Sequence, residues 1–310
     1  MKIFETILQS DIFKKKPPVL IDIGASGEIN AKWKMIAPYS VCIAFDADDR
    51  EFKVSEETNK GYKKLITFNR LVFEKPSGDV SFHLTSSPFC SSLLQPNSSK
   101  LKKWSFAGLF EVVKEIKMPV ITIEQALEQT GINYIDWFKT DTQGTDLRLF
   151  TSLPENLSRQ ILAVEFEPGI IDAYHGEDKL HTVMSVMDKG DFWLSGMIVK
   201  GAQRIKAQYL DGLGSRVIRN SPCWAEVTYL RDTIETATER DLLMLYIFAL
   251  IEKQPGFALE VADAGINRFK SPLLTECKNA VLKKLRYEKL KTPVVIFKRQ
   301  FNKLLSNIHD

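Results

Sequence analysis

Three short, almost wholly apolar runs constrain this chain most: "PVLIDIG" at 18–24, "SVCIAFDAD" at 40–48 and "KLITFNRLVF" at 64–73. Each has the length of a strand and no alternation, so each reads as a strand buried on both faces. The stretches between them, "EINAKWKMIAP" (28–38, stopped by Pro38) and "DREFKVSEETNKG" (49–61), read as helices. Strand, helix, strand, helix, strand with apolar strands implies parallel pairing and helices on both faces of a sheet. Further strands are expected at "INYIDWFKTD", "QILAVEFEP" (160–168), "DFWLSGMIV" (191–199) and "CWAEVTYLRD" (223–232). The expected fold is therefore α/β: a Rossmann-like, doubly wound, mostly parallel sheet of about seven strands. The last two strands form its antiparallel edge, and a C-terminal helical extension follows. The segments divide into a helical lead-in (1–17), a main domain (18–232) and a basic extension (235–310), whose helical pattern is interrupted by Pro293.

Between the third and fourth strands the texture changes. "SGDVSFHLT" (77–85) alternates like a hairpin strand, and "SSPFCSSLLQPNSSK" (86–100) reads as a loop, either a binding segment or a surface connection. "TIEQALEQTG" (122–131) reads as a helix capped by Thr122 and stopped by Gly131.

Bulk properties exclude several classes. A net charge of +3 over 310 residues is too small to argue for nucleic acid. It is also uneven: residues 270–310 carry ten Lys or Arg against three acids, leaving the rest at about −4. That basic tail reads first as a solvated helix face packed on the domain or on a second subunit, and second as a peripheral contact for acidic lipid. The longest apolar run, "LLMLYIFALI", is ten residues, about half a membrane span. Four scattered cysteines and no leader-like N-terminus lead to a cytoplasmic expectation.

The polar ends of the strands carry the chemistry. In "VLIDIGASGEI", Gly24 and Gly27 permit a tight turn into a helix, and Asp22 sits inside an apolar strand. Asp46 ends the second strand 24 residues later, where an acid commonly holds ribose hydroxyls. Together they indicate an adenosine-type ligand, although the strict G-x-G-x-x-G pattern is absent.

"DIGASG" and "AFDAD" resemble the first and second motifs of class I S-adenosylmethionine-dependent methyltransferases. "IDWFKTDTQGTDLRLF" resembles the "K-I-D-x-E-G-x-E" segment of the FkbM family, which is associated with O-methylation, often of sugars or polyketides. The lead-in "ITIEQALEQTGINY", the following "LAVEFEPGIIDAYHGEDKL" and the serine-rich "SSPFCSSLLQPN" are also similar to that family, so the likeness spans roughly 18–230. Gln143 and Asp146 depart from it, standing where the family usually has glutamates, and Gly27 comes one or two places early.

The resemblance implies a SAM-dependent O-methyltransferase acting on a hydroxyl, with a saccharide or glycoconjugate as acceptor. The competing readings are a degenerate, non-catalytic binding protein and a nucleotide-dependent oxidoreductase. Asp22, Gly24, Ala25, Ser26 and Gly27 are the expected cradle for the amino-acid end of SAM, with Asp46 at the ribose and Asn69 at adenine. Asp141 is the expected base, lying beside SAM at the end of the fourth strand, with Lys139 orienting it and His175 as a second base candidate. Glu165 and Glu167 share a strand face and offer carboxylates for Mg²⁺, but solvated strand-end acids are the preferred reading, so no metal residue is assigned.

Overall fold

A computed structural model describes residues 2–25, 30–47, 61–210 and 217–306, with side chains described as far as residue 290. The strands are β1 (Val19–Ile23), β2 (Val41–Phe45), β3 (Lys64–Phe68), β4 (Leu71–Val72), β5 (Val80–Thr85), β6 (Val112–Met118), β7 (Val120–Ile121), β8 (Trp137–Thr140), β9 (Ala163–Phe166), β10 (Phe192–Gln203) and β11 (Asn220–Arg231). Seven of them form one sheet in the order β10-β11-β9-β8-β1-β2-β3. β1, β2, β3, β8 and β9 run parallel, and β11 and β10 close one side antiparallel. Strand order reverses at β1, so the carboxyl ends of β1 and β8 flank the crevice where such sheets bind ligands.

The expected doubly wound sheet with an antiparallel edge and a helical extension is present. Several local expectations change. The run 64–73 is not one strand: it breaks at Asn69–Arg70, and β4 then pairs with β7 in a separate two-stranded ribbon. β5 pairs with β6, 27 residues further on, rather than within a local hairpin. The stretch 31–39 forms two 3₁₀ turns, Ala31–Met35 and Ala37–Tyr39, in place of a helix. Pro38 lies at the start of the second turn, where its missing N–H costs nothing. The helix expected at 49–61 lies, except for Gly61, outside the described residues. Pro272–Ser306 runs as one helix past Pro293, the loss of one backbone donor not sufficing to end it.

Each sheet face has its own apolar core. On one face, the helices Ile123–Thr130, Asp146–Thr151 and Leu180–Met187 cover Ile21, Ile43, Phe138, Val164 and Val227. Thr122 and Gln125 close the first of these helices with a reciprocal capping box, and Gly131 ends it in the left-handed conformation. On the other face, Phe4, Ile7 and Phe13 of the lead-in pack with the extension helices Glu239–Ile251 and Pro255–Phe269 over Leu20, Trp137, Ala163 and Leu230. The helix Glu239–Ile251 buries residues all round, since lead-in, sheet and following helix surround it. Arg240 anchors it with a bidentate pair to Asp136 (2.7 and 2.8 Å), which also accepts the Val19 N–H, while the guanidinium donates to the Lys16 and Pro17 carbonyls.

Candidate functional site

A cavity of about 880 Å³ opens at the carboxyl ends of β1, β2, β8 and β9. The register beneath it explains its chemistry. Leu20, Trp137, Ala163 and Leu230 lie side by side across four strands, forming the apolar layer under the extension. Two residues along each strand, on the same face, lie Asp22, Lys139, Glu165 and Thr228. The side-chain period of two thus turns an apolar row into a polar one within a single step.

The polar row is tightly bonded. Lys139 Nζ donates to Asp22 Oδ1 at 2.6 Å, and Asp22 Oδ2 accepts the Asn30 N–H. Burial works against the charge on Lys139, but Asp22, Asp141 and Glu165 outweigh it and hold its pKa above the ordinary value. Glu165 accepts from Asn30 Nδ2 (3.2 Å) and from Lys32 Nζ (3.0 Å), and Lys32 also meets Glu252 of the extension (3.2 Å). Burial raises the pKa of Glu165, opposed by Lys32 and Lys139.

Beyond β8 the chain makes a turn built around Asp141. Its N–H donates to the Ile23 carbonyl, and its carboxylate accepts from Gln143 Nε2 at 2.6 Å. Gln143 adopts a positive φ of 57°, an uncommon backbone for a non-glycine residue. The buried Asp146 holds the turn from behind, accepting the Thr142 N–H and hydroxyl and the Glu167 N–H. Glu167 is hydrogen-bonded to Asp141. Burial, the Asp141 charge and that bond push the Glu167 pKa up to about 10, so it carries a proton at neutral pH. The Tyr174 hydroxyl reaches Gln143 Oε1 and the Cys90 carbonyl.

The serine-rich segment is a wall of the cavity. Ser92 donates to the Gln143 carbonyl, and Ser87, Phe89, Cys90, Ser91 and Leu93 line the space. Behind it Cys90, Leu101, Phe110 and Tyr174 form a small apolar cluster of their own. The β10–β11 ribbon outruns β9 and brings Gln203, Asn220, Trp224 and Glu226 to the opposite side.

The expected site residues divide accordingly. Gly24, Asp46, Lys139 and Asp141 line the cavity. Gly24 has φ +81°, and a Cβ there would come within 2.1 Å of the Asp141 carbonyl oxygen, so its smallness serves the approach of β1 to β8. Ala25 is buried, its N–H donating to the Phe45 carbonyl. Asp22 is fully buried behind the wall, because Lys139 and Asn30 occupy its oxygens. Lys139 is bonded to Asp22, so the amide of Gln143, rather than Lys139, orients Asp141. Asn69 is exposed and Arg70 lines the cavity in its place, because the chain breaks out of β3 there. His175 is exposed on a loop while its neighbour Tyr174 turns inward. Ser26 and Gly27 lie outside the described residues. Glu165 and Glu167 separate, one to Lys32 and the other to Asp141.

Sequence reasoning missed Asn30, Lys32, Tyr174 and Glu252. The "AVEF" period of two marks the face of Glu165, but nothing in the sequence pairs it with residues 133 positions before it and 87 after.

A seven-stranded, mostly parallel sheet with an antiparallel edge and a ligand-sized cavity at its carboxyl end is the architecture of Rossmann-like methyltransferases. The family model described as "Methyltransferase FkbM domain" matches residues 38–192, half of the chain, and the chain belongs to the FkbM methyltransferase family. The match begins after β1 and ends at the start of β10, so the first glycine turn and the extension lie outside it. No curated protein matches. Among solved structures the chain is similar to "StiE O-MT residues 961-1257", at 8% identity and a TM-score of 0.31, over 82% of this chain and 78% of that one. A likeness that low bears on nothing further. Among the described residues no helix is long and apolar enough to cross a membrane.

Proposed function

We propose that this protein is an S-adenosylmethionine-dependent O-methyltransferase that methylates a hydroxyl of a saccharide or glycoconjugate. The carrying observation is Asp141, a carboxylate on the cavity wall at the end of β8, fixed by Gln143 and hydrogen-bonded to Glu167. The residues present fit the donor. Asp46 at the end of β2 suits a ribose diol, Phe45, Leu71 and Val72 offer apolar contact for a purine, and Asp141 and Glu165 suit a cationic centre. Bound there, S-adenosylmethionine supplies an electrophilic methyl group on a sulfonium.

The chain's own task is to place an acceptor oxygen and take its proton. Asp141 accepts the hydroxyl hydrogen. Gln143 donates to one of its oxygens and so aims the other, a role an acid at 143 could fill only by carrying a proton itself. Glu167 keeps its proton and leaves one net negative charge on the pair, enough to balance one cationic donor. Ser87, Ser105, Gln203 and Asn220, interleaved with Phe106 and Trp224, give the far wall the mixture of polar and flat apolar groups that suits a sugar ring. Four buried, unpaired cysteines accord with a reducing cytoplasmic setting.

Titration calorimetry with S-adenosylhomocysteine and a methyl-transfer assay on a glycoside panel test this reading. Asp141→Asn is expected to bind S-adenosylhomocysteine within about threefold of wild type and to lose roughly 10²–10⁴ in transfer rate. No binding by the wild type, or full activity in Asp141→Asn, would refute it.

A further inference from the structure

Glu252 caps the helix Glu239–Ile251, outside the stretch that matches the family model, yet its carboxylate reaches the site. Its side chain is only 8% exposed and lies 3.2 Å from Lys32 Nζ, whose other acidic partner, Glu165 Oε2 at 3.0 Å, belongs to the cavity wall. Gln254 secures the same corner by donating to the Ser195 carbonyl on β10. The cluster holds three carboxylates, Asp22, Glu165 and Glu252, and two ammonium groups, Lys32 and Lys139. Asp22 is matched by Lys139. Lys32 is shared between two acids, so with every group ionised the cluster keeps one uncompensated negative charge. Burial makes that charge costly until a cation joins it. Of the three carboxylates, only Glu165 lines the cavity.

We propose that Glu252 is a positioning residue of the donor site: by sharing Lys32 it leaves the charge of Glu165 only partly neutralised, so that Glu165 receives the α-ammonium of the donor's amino-acid end, with Lys32 beside it for the α-carboxylate. The inference rests on the donor reading above. It also moves the ammonium contact from Asp22, which is fully buried behind the cavity wall, to Glu165, which lines the cavity on the third strand of the row. The helical extension thereby becomes part of the site. Without the Glu252 charge, Lys32 and Glu165 neutralise one another and the attraction for an incoming ammonium disappears.

The test is calorimetry on the full chain with two probes, S-adenosylhomocysteine and 5′-methylthioadenosine, the second lacking the amino-acid end. Glu252→Gln is expected to weaken S-adenosylhomocysteine about tenfold and leave methylthioadenosine within about twofold. Glu252→Asp should recover part of the loss. A general loosening of the fold would weaken both probes together, and that result overturns the proposal. So does S-adenosylhomocysteine affinity that Glu252→Gln leaves unchanged while the wild type binds. If the wild type binds neither probe, the donor reading falls and this inference with it. Thermal melts of both variants identify any that fail to fold, and Glu165→Gln, expected to show the same selective loss, then decides the matter.

Discussion

A buried aspartate is paired with a cation at each end of β8, Asp136 just before the strand and Asp22 on the neighbouring β1, and the two pairs do different things. At the entrance, Asp136 meets Arg240 through two parallel bonds, roofed by the lead-in and the extension, and accepts the Val19 N–H as well. At the exit, Lys139 reaches across to Asp22 through one bond, and the lysine is a wall of the cavity. The planar fork of arginine satisfies a sealed carboxylate completely, while a lysine head leaves capacity for other partners. Burial of an ion pair therefore identifies no function in itself. The open space beside it and the groups it leaves half-satisfied do.

Breaking the entrance pair should produce the largest loss of stability. Asp136→Ala strands a buried guanidinium, at a cost of about 3–5 kcal/mol or ~10 °C in melting temperature, read by calorimetry. Transfer activity per folded molecule should stay within about twofold, since nothing at that end touches the cavity. At the exit, Lys139→Met should cost less stability, about 1–3 kcal/mol, because Asp22 keeps the Asn30 N–H and the cavity admits water. It should nevertheless lower transfer at least about tenfold, by displacing the row that carries Glu165. Equal effects of the two variants on activity would erase the distinction.

The smallest effect depends on pH. The folded-state pKa of Glu167 is raised from 4.5 to about 10, so the folded protein binds the proton more tightly than the unfolded chain. The stability tied to it is present in full below pH 4.5 and drains away as pH climbs toward 10. Glu167→Gln mimics the protonated form. Its melting temperature should exceed that of wild type at pH 8.5, with the gain vanishing near pH 4.5.

Much of the frame was legible because β-strands buried on both faces have no choice but to be apolar. β1, β2, β8 and β9 stand out for that reason, as does the shift from Trp137 to Lys139 that marks where the sheet meets its cavity. The helix at Ile123–Thr130 was legible through its caps. The turn at Gln143 was legible as a departure from the family motif, though not as the donor that holds Asp141. Asn69 and His175 are exposed, while the next residue in one case and the preceding one in the other, Arg70 and Tyr174, line the cavity. A strand end and a loop direction depend on what packs against them, and a single peptide step redirects a side chain.

The sequence by itself determined the sheet, its parallel sense, the family and the strand ends where chemistry gathers, because local periodicity and polarity are properties of neighbouring residues. Only the tertiary structure decided who partners whom: that Lys139 takes Asp22, that Glu167 joins Asp141, and that Glu252 reaches Lys32 across 220 positions of chain. Such pairings follow from strand order and register. Those are fixed when two apolar faces are buried at once, and no stretch of sequence short enough to read as a motif contains both partners.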